Sequence, residues 1–109
     1  FRSIGTFQAL QHRASELFCD LEMARALLRQ ALAELDEGAA TSARTVAQAK
    51  ARVGLSANRA VQEAVQMHGG IGMTDALDIG FFMKRARVLQ ELFGDANWHL
   101  DRLARMGGY

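Results

Sequence analysis

Along the first third of the chain, apolar residues recur at Phe7, Leu10, Ala14, Leu17, Leu21, Ala24, Leu28, Ala31 and Leu35. Alternating steps of three and four, held for about four heptads, predict one long amphipathic helix. At 1.5 Å per residue it reaches roughly 45 Å. Asp36-Glu37-Gly38 supplies its stop, with Gly38 suited to the left-handed position past a helix end. Thr41 or Ser42 can cap a second helix, whose inward positions are Val46, Ala49, Val53, Ala57, Ala60, Ala64 and Met67. Most of these side chains are small, which implies close helix approach. Arg44, Lys50, Arg52, Arg59, Gln62 and Glu63 fill the other faces. Gly54 weakens this helix by about 1 kcal/mol against Ala without ending it.

Gly69, Gly70 and Gly72 fall within four residues and end the second helix. Thr74 or Asp75 can cap a third, with Ile79, Phe82, Ala86, Leu89 and Phe93 as its apolar members and Gly94 as its close. Asp95 is a good N-cap for a short fourth helix that turns Ala96, Leu100, Leu103 and Met106 inward and ends at Gly107-Gly108. Brief loops between these segments predict an all-α, antiparallel four-helix bundle with shallow crossing angles. The absence of proline over 109 residues agrees, since a soluble domain usually carries about 5% Pro. A formal charge of +1 provides no field to attract nucleic acid or an anionic membrane. The single cysteine and the lack of an apolar leader at residues 1–8 or of a spanning segment point to a cytoplasmic setting. The chain opens inside a pattern without an initiator Met, as a fragment of a longer polypeptide would.

Candidate chemistry is sparse. His12, His68 and His99 lie on different segments, and no Glu is followed three residues later by His, so the di-iron signature of helical bundles is missing. No metal site is expected, and the three histidines read as surface or capping residues. Cys19 falls on the core-proximal side of the first helix and reads as a small buried hydrophobe. Phe81, Phe82, Met83 and Phe93 read as core; Lys84, Arg85 and Arg87 read as a solvated face or as partners of Asp75, Asp78 or Glu91. The glycine corner follows a helix and not a strand, so it is no dinucleotide fingerprint. Two readings of it stay open: a tight helix–helix corner, or backbone N–H groups that a pyrophosphate can approach.

Three runs taken together are more specific. Ile4-Gly5-Thr6-Phe7-Gln8-Ala9-Leu10-Gln11-His12-Arg13-Ala14, then Gln66-Met67-His68-Gly69-Gly70-Ile71-Gly72, then Lys84-Arg85-Ala86-Arg87 resemble, in order and spacing, the C-terminal helical domain of the acyl-CoA dehydrogenase family. The resemblance covers essentially the whole chain, residues 1–109, and favours the pyrophosphate reading. It implies a flavoenzyme whose N-terminal helical and middle β-domains lie outside this chain. The segment 66–70, namely Gln66, Met67, His68, Gly69 and Gly70, is expected to contact the ADP portion of FAD held mainly by a neighbouring subunit, with Gln8 touching the same cofactor. The implied partners are an acyl-CoA thioester and further subunits in a homo-oligomer, dimer or tetramer, or a related chain. The implied reaction takes an α-proton with a carboxylate while the β-hydrogen leaves as hydride to flavin, giving the 2-enoyl-CoA.

Two departures accompany the resemblance. Many members carry the glutamate base nine residues past the arginine that matches Arg85, and counting here gives Gly94, so no catalytic residue is expected in this chain. Glu91 and Asp95 are near, but no motif places either at the substrate. The family's Arg-x-x-Phe-Gly run before the front motif is not reproduced by Phe1-Arg2. The alternative reading is a non-catalytic, self-associating helical subunit without cofactor, its glycine corner purely structural.

Overall fold

A computed structural model describes residues 4–69 and 78–109. A short 3-10 turn, Ile4–Thr6, leads into α1 (Gln8–Glu37), followed by α2 (Ser42–His68), α3 (Ile79–Glu91) and α4 (Ala96–Met106). The all-helical, four-helix expectation holds. The centre of the arrangement is α2, against which α1, α3 and α4 each pack.

The α1–α2 hairpin follows from its turn chemistry. Gly38 adopts φ 65°, ψ 31°, and its N–H reaches Leu35 O while Ala39 N–H reaches Glu34 O at 2.9 Å. This is the Schellman arrangement, which satisfies carbonyls the helix end would leave open. Thr41 holds the N-cap position of α2, but its side chain makes no capping bond. Hydrogen bonds from the Thr45 side chain first, then from Gln30 and Thr41, hold the Glu34 carboxyl below its ordinary range.

The seam between the two long helices differs from the apolar stripe in one half. Half-buried or buried positions on α1 run Leu10, Leu17, Asp20, Ala24, Leu27, Ala31 and Glu34. Leu10, Leu17, Ala24 and Ala31 are the expected set. The companion positions are shifted by one residue, so that Asp20 and Glu34 face α2 while Leu21, Leu28 and Leu35 stay exposed. Polar residues win these positions because α2 offers partners for them. Asp20, 8% exposed, takes a hydrogen-bonded ion pair from Arg52; Glu16 pairs with Arg59 at 3.1 Å, and Arg13 with Glu63 at 3.7 Å. Ascending numbers on α1 meet descending numbers on α2, which shows the antiparallel register directly. Cys19, one position outside the seam, is exposed and not buried as expected.

Small residues let the helices close up. Among the described residues every buried apolar side chain is an alanine: Ala24, Ala31, Ala47, Ala49, Ala51 and Ala96. By helical phase, Ala47 and Ala51 lie on the side of α2 opposite Arg52, Arg59 and Glu63, which pair with α1. Large apolar side chains remain outside. Phe81 and Phe82 are 66% and 65% exposed, correcting their expected place in the core. The cause is that α3 meets α2 through the side carrying Ala86 and Gln90, leaving only Met83 of the Phe81–Met83 run half-buried. On α4, Ala96 is buried and Leu103 half-buried, but Leu100 and Met106 are exposed and His99 takes the inward place.

The radius of gyration is 16.7 Å, against about 13 Å for a compact domain of this length. An alanine seam and an elongated shape bury little apolar area, so the polar ladder carries an unusual share of specificity. Replacing Asp20 by Ala leaves Arg52 without its anchor in the seam and is expected to lower stability by about 1–3 kcal/mol. Urea unfolding measures it, and the double change Asp20→Ala with Arg52→Ala should be less damaging than the two single changes summed. Replacing Glu34 by Gln tests the hairpin. A carboxyl held low in the folded state stabilises above the ordinary glutamate range of about 4.3, and this contribution disappears as pH falls through the lower folded value. The difference in urea midpoint between wild type and Glu34→Gln should therefore be present at pH 7 and shrink below pH 4.

Candidate functional site

The antiparallel hairpin brings the front motif and the end of α2 to the same end of the molecule. Ile4, Gly5, Leu10, Gln11, Ala14 and Met67 line one cavity of about 160 Å³ there. Gln11 Nε2 donates to Gly5 O at 2.8 Å, which fastens the entering turn onto α1. Gln8 occupies the first turn of α1, is exposed, and its amide is available to a ligand. At the end of α2, Gln66 and His68 are exposed and Met67 half-buried. His68 Nδ1 donates to Ala64 O at 2.7 Å, a bond that leaves Nε2 as the free edge of the ring.

Gly69 ends α2 with φ 70° and ψ −151°, a conformation open essentially to glycine alone. Open space surrounds the place where a Cβ would stand. The glycine is thus demanded by backbone shape; it is exposed, and its N–H donates to Gln66 O. Gly70, the last residue of the expected cofactor segment, lies outside the described residues, as do the caps Thr74 and Asp75.

A second corner joins α3 to α4. Helix α3 stops at Glu91, two residues before the expected end, and Phe93 turns to φ 62° while its ring is 83% exposed. The expected core role of Phe93 is corrected accordingly. Gly94 follows at φ 94°, where a Cβ would come within 2.8 Å of Trp98 Cε3 and 3.2 Å of His99 Nε2. Asp95 caps α4 as expected, its Oδ1 accepting from Trp98 N–H at 2.8 Å. His99, read from the sequence as a surface or capping residue, is 6% exposed, and its Nε2–H donates to Phe93 O at 3.0 Å. Its ring forms an edge-to-face pair with Trp98, the centroids 4.8 Å apart. No local spacing signals such a histidine; the bond spans a corner six residues wide.

A family model described as the acyl-CoA dehydrogenase C-terminal domain matches residues 1–107. The chain belongs to the acyl-CoA dehydrogenase family. Among its relatives, the acyl-CoA dehydrogenase IpdE2 of Mycolicibacterium smegmatis is 39% identical over 102 residues, covering 94% of this chain and 31% of that protein. IpdE2 of Mycobacterium tuberculosis is 34% identical over 103 residues, covering 94% and 30%. The acyl-CoA dehydrogenase FadE34 of the same organism is 26% identical over 106 residues, 96% of this chain and 15% of its own length. The chain therefore spans less than a third of the relatives it matches.

Within this acyl-CoA dehydrogenase domain, other candidate groups stay apart. Lys84 stands 5.9 Å from the Phe81 ring centroid, Arg87 pairs with Glu91 at 3.6 Å, and Arg85 is exposed. Among the described residues no three His, Cys, Asp or Glu side chains gather as a metal site would require. No helix among them is long and apolar enough to cross a membrane. Residues 92–94 carry no proton acceptor, and the Asp95 carboxylate is engaged as a cap. Placing a side chain at position 94 should be expensive: Gly94→Ala is expected to destabilise by about 1–3 kcal/mol through strain and displacement of the indole. Because Trp98 is the sole tryptophan, its fluorescence maximum reports that displacement directly.

Proposed function

We propose that this chain is the C-terminal domain of a flavin-dependent acyl-CoA dehydrogenase, completing an FAD site and an oligomer core while supplying no catalytic base. The carrying observation is the exposed end of α2. There a glycine-only backbone at Gly69, two exposed glutamine amides and the outward edge of His68 sit beside the front motif. This set fits the ADP portion of a dinucleotide. With no Cβ at Gly69, a phosphate can approach that peptide closely, and Gln8 and Gln66 donate and accept at ribose or adenine. Met67 packs the apolar edge, and His68 offers Nε2 to a hydroxyl. Flavin, when bound, supplies the hydride acceptor for oxidation of the acyl-CoA thioester. This domain's part is binding and orientation in a cytoplasmic oligomer, a homodimer, homotetramer or an assembly with a related subunit.

The exposed stripe of Leu21, Leu28 and Leu35 on α1 supports the oligomeric part of the reading, since soluble monomers rarely leave such a row open. The same stripe also favours the second reading, a self-associating helical subunit with no cofactor. One comparison separates them. In the complete protein, Gly69→Val is expected to cut bound flavin per chain by about ten-fold or more while helix content stays unchanged, with Gln66→Ala producing a smaller loss. Flavin content is read from the visible spectrum of the size-resolved peak. A colourless wild-type oligomer without a flavin-bearing partner, or full flavin retention in Gly69→Val, would sink the cofactor reading.

A further inference from the structure

Helix α3 is the one of the four α-helices that buries no residue among those described. Its N-cap residue Asp78 makes no side-chain capping bond. The Arg87–Glu91 pair and the contact of Lys84 with Phe81 lie within α3 and tie it to nothing else. Half-buried contact alone is a weak hold on a helix of 13 residues.

What fastens α3 to α2 is Lys50. Its Nζ donates to Leu89 O at 3.0 Å and to Gln90 O at 3.3 Å. Both carbonyls belong to the last turn of α3, where the helix has run out of its own N–H donors. Val88 O, just before them, is met by Leu92 N–H. Lys50 thus caps α3 from a neighbouring helix, with its charge set against the negative end of the helix dipole. Among the described residues, these are the side-chain hydrogen bonds that join α3 to α2.

Beyond this cap the chain turns through Phe93 at φ 62° and Gly94 at φ 94°, and α4 then packs on α2 by its own contacts, with Ala96 and His99 buried. A turn between two separately docked helices can absorb a rotation of one while the other stays in place.

We propose that α3 is a hinged flap on the α1–α2 hairpin, pivoting at Phe93 and Gly94, and that Lys50 is its latch. Latched, α3 sets Ala86 and Leu89 over Val53 and Ala57 of α2; unlatched, it uncovers them. This motion belongs to the domain whether or not flavin is bound.

Hydrogen exchange of the complete protein, read by mass spectrometry, tests it. In the wild type, amides of residues 83–90 are expected to exchange about ten-fold faster or more than those of residues 47–51. Lys50→Met keeps an unbranched stem and loses the donor. Exchange in residues 83–90 should then rise by about a further ten-fold, with residues 24–31 and 47–51 unchanged. Lys50→Arg, which can still donate to both carbonyls, should restore the wild-type rate. Lys84→Met, which removes the other lysine of the chain, should leave it unaltered. Equal protection of α3 and the middle of α2 in the wild type overturns the flap, as does a uniform rise across hairpin and α3 in Lys50→Met. An unmoved rate in Lys50→Met, or a Lys50→Arg protein that exchanges like Lys50→Met, overturns the latch. So does a Lys50→Met protein that no longer folds, since losing a latch on one helix leaves the hairpin standing.

Discussion

The pairing of Asp20 with Arg52 is the interaction on which the rest of the structure turns. It sits near the middle of a seam whose apolar members are alanines and a few leucines, with the Glu16–Arg59 and Arg13–Glu63 pairs following it toward the start of α1. Apolar contact between alanines is poor at distinguishing one register from another, because one methyl resembles the next. A buried carboxylate is demanding: a shift of one turn would leave it dry and unpaired. The ladder thereby fixes which residues of α2 meet α1, and so brings Gln8 and Leu10 to the same end as Met67 and Gly69.

Placing polar residues in the seam has a geometric consequence for α1. A helix this long can bury two faces only if something packs on each, and within this chain α2 covers one. The leucines at 21, 28 and 35 lie exposed at the flank of that face, Leu28 and Leu35 lining an open groove with Val46, Ala49 and Val53 of α2. In the same way α3 meets α2 with small residues and keeps Phe81 and Phe82 outside. The domain thus has the surface of a component, which suits a family in which this domain makes up less than a third of the relatives' length.

Much of this was legible in the pattern of residues. Heptad spacing, Gly38 and Asp95 located the ends of the first, second and fourth helices closely, whereas α3 begins at Ile79 with Asp78, not Thr74 or Asp75, in its N-cap position; three short motifs identified the family. What the pattern concealed was which half of the α1 stripe turns inward. Leu21 and Asp20 are adjacent, and hydrophobicity alone prefers Leu21; the decision came from Arg52, thirty-two positions away. Phe93 escaped for a related reason. Its apolar character argues for burial, but its direction is set by a hydrogen bond from His99 across a turn, which no periodicity encodes. At the end of α2, Gln66 is exposed and Gly69 takes a glycine-only backbone, while Gly70 lies outside the described residues.

Because α2 is the one helix that all three others share, the order in which the fold opens is set by connectivity and not by helix length. Each of α3 and α4 can detach while the hairpin persists, but α2 cannot loosen without releasing every neighbour at once. Amide protons near Ala47, Ala49 and Ala51 should consequently exchange only through global unfolding, and those of the short last helix through a cheaper, local excursion. The alanine-rich middle of the chain, the least conspicuous part of its sequence, would be the slowest to exchange with water.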